Sequence, residues 1–222
     1  MKIINEDFRR ILSDSISISK FSIKRNRKIF FLSVVFLFLY SIVFFIDQPI
    51  RDIFLKIHTD YFDFLFKVGH FYGKLYLTLI FFISLYAIGL IFQKDIIRKS
   101  GLRILEAFIF SGIIVTILKS LFGRWHPYTE KGSFVFNPLN FSSNDHLSLP
   151  SGDVAIAFAL STIAASFFEN RFWKILCYSF AALTFFGRIY HDQHWMSDVI
   201  FGVFIPTIIG IRLNQLNIKE IG

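Results

Sequence analysis

Three short segments of this 222-residue chain carry polar side chains of the kinds that bind and transfer phosphate. The first segment follows an apolar run and holds Lys119, Arg124 and His126, the second is Pro150-Ser151-Gly152-Asp153, and the third runs from Gly187 to Asp198. Lysine and arginine are cationic hydrogen-bond donors, and the planar fork of arginine suits phosphate oxygens. We therefore expect Lys119, Arg124 and Arg188 to form an anion site if the fold brings these segments together.

The second segment is predicted to open a helix, with Pro150 at its first turn. Ser151 and Gly152 would then offer free backbone N–H groups and the positive end of the helix dipole to a phosphate. Gly152 would also let the backbone approach closely. Taken alone, Ser151 and Asp153 could equally be ordinary helix caps.

The third segment holds His194 and Asp198, four residues apart at the start of another predicted helix. Residues at this spacing share a helix face, so the carboxylate can contact the imidazole. A carboxylate on one ring nitrogen fixes the tautomer and leaves the other nitrogen as a nucleophile or base. The pair could instead be a structural hydrogen bond. A metal site built from His126, His191, His194 and Asp198 is another reading, which the clustered Lys and Arg disfavour because they would repel a cation.

The elements that must position these residues are membrane helices. The chain is 54% hydrophobic with 31 Phe, and its apolar residues fall in runs long enough for a hydrocarbon core roughly 30 Å thick. We predict an all-α integral membrane bundle of six transmembrane helices, with an N-terminal and an interfacial amphipathic helix in addition. The predicted spans are 29–46, 73–92, 102–122, 150–168, 172–190 and 196–213, with an interfacial helix within 47–72 and a short basic loop at 93–100.

We expect one membrane domain, residues 29–213, between a basic leader at 1–28 and a tail at 214–222. In the leader, Ile4, Phe8, Ile11 and Leu12 share one helical face, and the basic run 24–28 follows. This indicates a headgroup-contacting interfacial helix or a solvated tail. With the N-terminus in the cytoplasm, 16 of the 24 Lys and Arg fall on the cytoplasmic side, so both termini are predicted to be cytoplasmic. The three polar segments then all face outward.

The motifs resemble those of the type 2 phosphatidic acid phosphatase family of membrane lipid phosphatases. Lys119 is followed after six residues by His126-Pro127, where the family has Arg-Pro. Pro150-Ser151-Gly152-Asp153 stands where the family has Pro-Ser-Gly-His. Gly187-Arg188 with His194 and Asp198 stands for its Ser-Arg-x5-His-x3-Asp, with Gly187 in place of the serine. The likeness covers most of residues 30–212.

The resemblance implies metal-independent hydrolysis of a phosphorylated lipid, with no cofactor and no nucleic acid. His194 would attack phosphorus and form a phosphohistidine, and Asp198 would orient it. Lys119, Arg188 and the Ser151–Gly152 backbone would hold the equatorial oxygens, and Arg124 would take over the contact of the arginine that His126 replaces. In a bacterial inner membrane the site would face the periplasm.

The family has a histidine at the position of Asp153, and that histidine protonates the leaving group. With aspartate there, the identity of the acid is open. An aspartate beside cations serves poorly as an acid unless burial compensates. Asp153 itself, His126, His191 or His146 could supply the proton.

Three functions stay open on the sequence. The first is a lipid phosphatase acting on lipid A, polyprenyl diphosphate or phosphatidylglycerol phosphate, and Asp153 favours the lipid A branch. The second is a lipid-to-lipid phosphotransferase. The third is a non-catalytic lipid-binding protein of the same fold.

Overall fold

The computed structural model describes residues 2–19 and 27–221, with side chains described chiefly in 3–17 and 40–215. In this described part the secondary structure is helical, which confirms the predicted all-α class. The helices are α1 (Lys2–Ser19), α2 (Arg27–Phe54), α3 (Asp60–Tyr72), α4 (Leu75–Ile91), α5 (Asp95–Phe122), α6 (Gly152–Ser166), α7 (Arg171–Tyr190) and α8 (Met196–Ile221). The side chains of the basic run 24–28 lie outside the described residues.

Membrane-spanning length and composition are clearest in two helices of the described part, α5 and the Met196–Gln215 stretch of α8. Helices α3 and α4 pass the same test together, although they are bent by 54° at the break between them. Helix α6 is apolar but shorter, with 15 residues. The first predicted span, 29–46, falls inside α2, where many side chains lie outside the described set. The count of six spans therefore stays a prediction.

Two predicted boundaries were wrong. The basic loop expected at 93–100 is largely the first turns of α5, which begins at Asp95. Buried Arg98 is tolerated there because it pairs with Asp7 of α1 and with Asp95. The single interfacial helix expected within 47–72 is divided between the end of α2 and α3, because Thr59 caps a new helix by accepting the Phe62 N–H.

Helix α1 packs with its polar face toward the bundle and its apolar residues outward. Asp7 is buried and accepts hydrogen bonds from Arg98 and from the Tyr86 hydroxyl. On the opposite side Ile4, Phe8 and Leu12 are exposed. This arrangement fits an amphipathic helix lying at the membrane interface.

The bundle core lies between α5, α6 and α8, which contribute Ile104, Ala107, Ala159, Ile163 and Ile209. Small residues on α6 allow close helix contact, as is common in membrane bundles. At Gly202 of α8, an added Cβ would lie 2.8 Å from the Ser151 carbonyl oxygen, so the two helices nearly touch where α6 begins. The polar segments of the sequence converge at this end of the bundle.

Candidate active site

Lys119 lies in the last turn of α5, whose end is fixed by a glycine. Gly123 has φ +59° and donates its N–H to the Lys119 carbonyl. A Cβ at Gly123 would lie 1.9 Å from the Asn137 carbonyl oxygen, so only glycine fits this turn. The Lys119 ammonium donates to the carbonyl of Leu147, which precedes α6 by a few residues. Lys119 is thereby held toward the start of α6.

Ser151 is the N-cap residue of α6, yet its side chain makes no capping hydrogen bond. Its Oγ is buried and has no hydrogen-bond partner among the described residues, and the same is true of Nε of Arg188. Leaving a buried polar atom unpaired costs about 1–3 kcal/mol, so each such atom in a native fold needs an explanation. A bound anion would satisfy both, because one is a hydroxyl donor and the other a guanidinium donor.

His194 is buried against Asp198 and Ser148. Its Nδ1 lies 3.6 Å from Oδ2 of Asp198 and 3.3 Å from Oγ of Ser148. The Ser148 hydroxyl donates to Asp198 Oδ2, and the Trp195 N–H donates to the same oxygen over 2.9 Å, as an N3 carboxylate does in a capping box. Because Nδ1 faces this group, Nε2 is the ring nitrogen that remains for chemistry.

The electrostatic surroundings keep His194 neutral. Burial lowers the pKa of its imidazole well below the usual value, and the positive charges of Arg188 and Lys119 lower it further, against the hydrogen bond to Asp198. A neutral imidazole has the free lone pair that a nucleophile requires.

His126 stands beside His194, with the two ring centroids 4.9 Å apart. Its Nδ1 is hydrogen-bonded to the Gln193 carbonyl, so Nδ1 carries the proton and Nε2 is free. Burial lowers the pKa of His126, and the charges of Lys119 and Arg188 act in the same direction. The sequence predicted His126 at the site, and the structure locates its ring beside that of His194.

Arg124 does not face the anion site. Its Nη1 donates to Asp198 Oδ1 over 2.7 Å, its Nη2 donates to Asp47 Oδ2 over 2.6 Å, and both Nε and Nη2 reach the Ser133 carbonyl. The side chains of Arg124, Asp47 and Asp198 are fully buried. This geometry argues against the predicted phosphate contact, because the guanidinium is already occupied by two carboxylates.

Asp153, in the first turn of α6, is held between two cations. Its Oδ2 lies 3.0 Å from Arg188 Nη1 and 3.2 Å from Lys74 Nζ. His70 of α3 is also close, with Nδ1 4.0 Å from the same oxygen and 3.0 Å from Arg188 Nη1. Asp153 therefore joins α6 to the Arg188 side chain of α7 and to Lys74 before α4.

The two other histidines considered as acids differ in position. His146 is buried away from this group, where Nε2 bonds to the Asn140 carbonyl and the ring lies beside Trp125. His191 lines a cavity together with Arg188, and burial lowers its pKa. Among the residues whose side chains are described, no three His, Cys, Asp or Glu side chains form a group that could hold a metal ion.

Two cavities border the site. A polar cavity of about 500 Å³ is lined by Asp63, Lys67, His70, Arg188, His191 and Gln193. An apolar crevice of about 240 Å³ runs between α4, α5 and α6 and is lined by Leu75, Phe108, Gly112, Val115, Ala155 and Ile156, among others. Lys119 and Gly152 also line this crevice. An amphiphile with its phosphate at Lys119 could thus place apolar chain in the crevice.

Sequence reasoning missed Ser148, His70, Lys74 and Asp47. Ser148 stands in a polar loop without a recognisable motif, and the other three lie far from the motifs along the chain. Only the fold reveals them, since the polar contacts of Asp47 are with residues 77 or more positions away.

The fold and this group of residues define a helical membrane protein in which one end of the bundle holds a buried imidazole and two buried donors, Ser151 Oγ and Arg188 Nε, without a partner among the described residues. A family model described as the PAP2 superfamily matches residues 100–220. The chain therefore belongs to the PAP2 superfamily, as its motifs predicted.

Relatives of known structure share the fold. LpxE from Aquifex aeolicus matches with a TM-score of 0.59 and 24% identity, covering 77% of this chain and 95% of that one. A PAP2-type phosphatidylglycerolphosphate phosphatase from Bacillus subtilis matches with a TM-score of 0.64 and 20% identity, covering 84% and 96%. A lipid A 1-phosphatase of Porphyromonas gingivalis is 31% identical over 81 residues, which is 36% of this chain and only 18% of that protein.

Proposed function

We propose that this chain is a membrane lipid phosphatase that removes a monoester or terminal phosphate through a phosphohistidine on His194. The observation that carries the proposal is the pairing of a buried, neutral His194 with two unpaired buried donors nearby, Ser151 Oγ and Arg188 Nε. A phosphate bound by these donors and by Lys119 would present phosphorus to His194 Nε2. Asp198 and Ser148, on the Nδ1 side, would orient the ring and stabilise the positive charge it gains.

The chemistry asked of the site is mostly positioning and charge stabilisation. Phosphoryl transfer spreads negative charge over three equatorial oxygens, with the attacking and leaving atoms roughly in line. Lys119, Arg188 and the N-terminus of α6 are cationic or dipolar donors suited to those oxygens. His126 Nε2, on the nucleophile's side, would add a further contact to an equatorial oxygen when the ring is protonated.

The substrate is an amphiphile because the site lies between a polar cavity and an apolar crevice. Lys119 and Gly152 line the crevice, so acyl or prenyl chain and phosphate can bind at once. Lipid A, phosphatidylglycerol phosphate and polyprenyl diphosphate all meet this description. Lipid A is the first substrate to test, because the relative above 30% identity is a lipid A 1-phosphatase.

The orientation proposed for the protein follows from its charges. Sixteen of the 24 Lys and Arg fall in segments that share one side with the N-terminus, which the positive-inside rule assigns to the cytoplasm. The phosphatase domain of residues 29–213 then lies in the bacterial inner membrane, with its site toward the periplasm and both termini in the cytoplasm.

The experiment is phosphate release from a panel of phosphorylated bacterial lipids with EDTA present, comparing wild type with His194→Ala. We expect His194→Ala to abolish release and to trap no phosphoenzyme after rapid quenching, since the proposed nucleophile is absent. His58→Ala is the matched control, because His58 lies in the turn between α2 and α3 with a half-exposed ring. Undiminished release by His194→Ala, or complete loss of wild-type activity in EDTA, would refute the proposal.

A further inference from the structure

The residue roles proposed so far do not include a proton donor for the oxygen of the departing alcohol. In an in-line displacement this oxygen lies on the far side of phosphorus from His194 Nε2. His126 stands beside His194, so it can reach equatorial oxygens but lies on the wrong side for the leaving group. The carboxyl group of Asp153 is already paired with Lys74 and Arg188.

Building on the proposed function, we infer that His70 is the general acid and that Asp153 is its positioning residue. His70 is a half-exposed histidine that lines the polar cavity together with Arg188. Its Nδ1 accepts a hydrogen bond from Arg188 Nη1 over 3.0 Å, so the neutral ring carries its proton on Nε2, and the same Nδ1 lies 4.0 Å from Asp153 Oδ2. A protonated ring would turn its Nδ1–H to Asp153 and leave Nε2–H for the leaving oxygen.

The place of His70 is fixed by close packing of α3 on α7. Gly69 has no room for a side chain, because a Cβ would lie 2.3 Å from the Leu183 backbone. The Thr184 hydroxyl donates to the Gly69 carbonyl over 2.6 Å. These contacts join the helix that carries His70 to the helix that carries Arg188, so the imidazole is held beside the guanidinium.

Arg188 interacts with both imidazoles. It lowers the pKa of His194 through its charge, while its Nη1 contacts Asp153 and His70. The inference places a phosphate bound at the unpaired Nε with His194 on one flank and His70 on the other. Lys74, which also binds Asp153, is followed by Leu75 in the lining of the apolar crevice. The departing lipid thus has an apolar path next to the proposed acid.

The step balances without an added reagent. His194 Nε2 forms a bond to phosphorus as the bond to the leaving oxygen breaks, and the proton of imidazolium His70 passes to that oxygen to give the free alcohol. A water molecule then attacks phosphorus, neutral His70 accepts its proton, and inorganic phosphate leaves with His194 regenerated. His70 ends each cycle protonated.

The charge of a bound phosphate is what would bring His70 to its protonated form. Without substrate the pKa of His70 lies below its ordinary value: burial is the largest cause, Lys74 before α4, Arg188 of α7 and a charged His191 lower it further, and Asp153 of α6 raises it. An arriving phosphate adds negative charge beside Arg188 and shifts the balance toward imidazolium. Substrate binding therefore prepares the acid.

The test compares two leaving groups in His70→Gln. An alkyl phosphate of the lipid type needs a proton on its leaving oxygen, whereas 4-nitrophenyl phosphate releases a stable phenolate without one. We expect His70→Gln to lower kcat/KM for the alkyl phosphate at least about 100-fold, which is typical of a lost general acid, and to change that for 4-nitrophenyl phosphate less than about fivefold. The alkaline limb of the alkyl-phosphate profile should also disappear. Asp153→Asn should show the same selectivity in weaker form.

Control variants separate this inference from the proposed function. His58→Gln should leave both substrates unaffected. His194→Ala should lose both activities, because it removes the nucleophile, and retained activity there would refute the proposed function itself. With His194 shown to be essential, an equal loss on both substrates in His70→Gln, or no loss on either, would overturn the role of His70.

Discussion

Arg124 donates from Nη1 to Oδ1 of Asp198 across 2.7 Å, joining residues 74 positions apart in a fully buried contact. The same guanidinium binds Asp47 of α2, so two carboxylates share one cation. Because Oδ1 is taken by Arg124, Oδ2 is the oxygen that receives Ser148 and faces His194. The arginine that the motif suggested as a phosphate ligand instead orients the carboxylate behind the proposed nucleophile.

Arg124→Gln should therefore lower the stability of the protein more than it weakens substrate binding. Removing one partner of a buried ion pair leaves uncompensated charge and typically costs about 3–5 kcal/mol. We expect a loss of this size in the free energy of unfolding, measured by denaturant titration in detergent. Arg171→Gln, at an exposed position, is the control for loss of charge alone. Adding Asp47→Asn to Arg124→Gln should recover part of the loss, whereas a variant of unchanged stability with a raised KM would favour the phosphate-ligand reading.

The pH dependence of the attack step should reflect the lowered pKa of His194. The ring must be neutral to attack, so activity rises with pH through the pKa of His194. Burial sets that value well below the ordinary 6.5. With 4-nitrophenyl phosphate, which needs no acid, kcat/KM should change little between pH 7 and 6.5 and fall only at clearly lower pH. An acid limb centred at or above pH 6.5 would contradict a buried neutral His194.

The apolar crevice should select for chain length. Gly112 of α5 lines it, and a Cβ there would meet no atom within 4 Å, so a larger side chain can extend into the open space. Each methylene excluded costs about 0.8 kcal/mol, so Gly112→Leu should lower kcat/KM for a long-chain lipid phosphate roughly fifty-fold if three methylenes lose their place. Hydrolysis of 4-nitrophenyl phosphate should not change.

Ile113→Phe provides the control for that variant, since Ile113 is the next residue on α5 and its side chain is exposed. It should leave both substrates unaffected. Equal effects of Gly112→Leu on long and short substrates would mean that the crevice does not hold the chain.

The sequence predicted the helical class and the convergence of Lys119, Ser151 and His194 on one end of the bundle, because motif spacing and apolar runs are local properties. It assigned Arg124 to phosphate because nothing near that residue reveals Asp47, which lies 77 positions earlier. The basic loop expected at 93–100 was wrong for a similar reason, since the partner that lets Arg98 enter a helix is on α1. Residue spacing could not predict which charged residues pair when they are far apart in the sequence.

The backbone N–H of Ser151, expected from the sequence to be free for phosphate, instead donates to the carbonyl of Asp198 over 3.0 Å, and α6 and α8 nearly touch there at Gly202. Helix α6, whose N-terminus is proposed to bind the phosphate, and helix α8, which carries Asp198, are therefore in direct contact at their first turns. The relative position of α6 and α8 need change little when a lipid binds, because the N-terminal dipole of α6 is already directed at the proposed phosphate site. The enzyme proposed here would need no closing movement between these two helices.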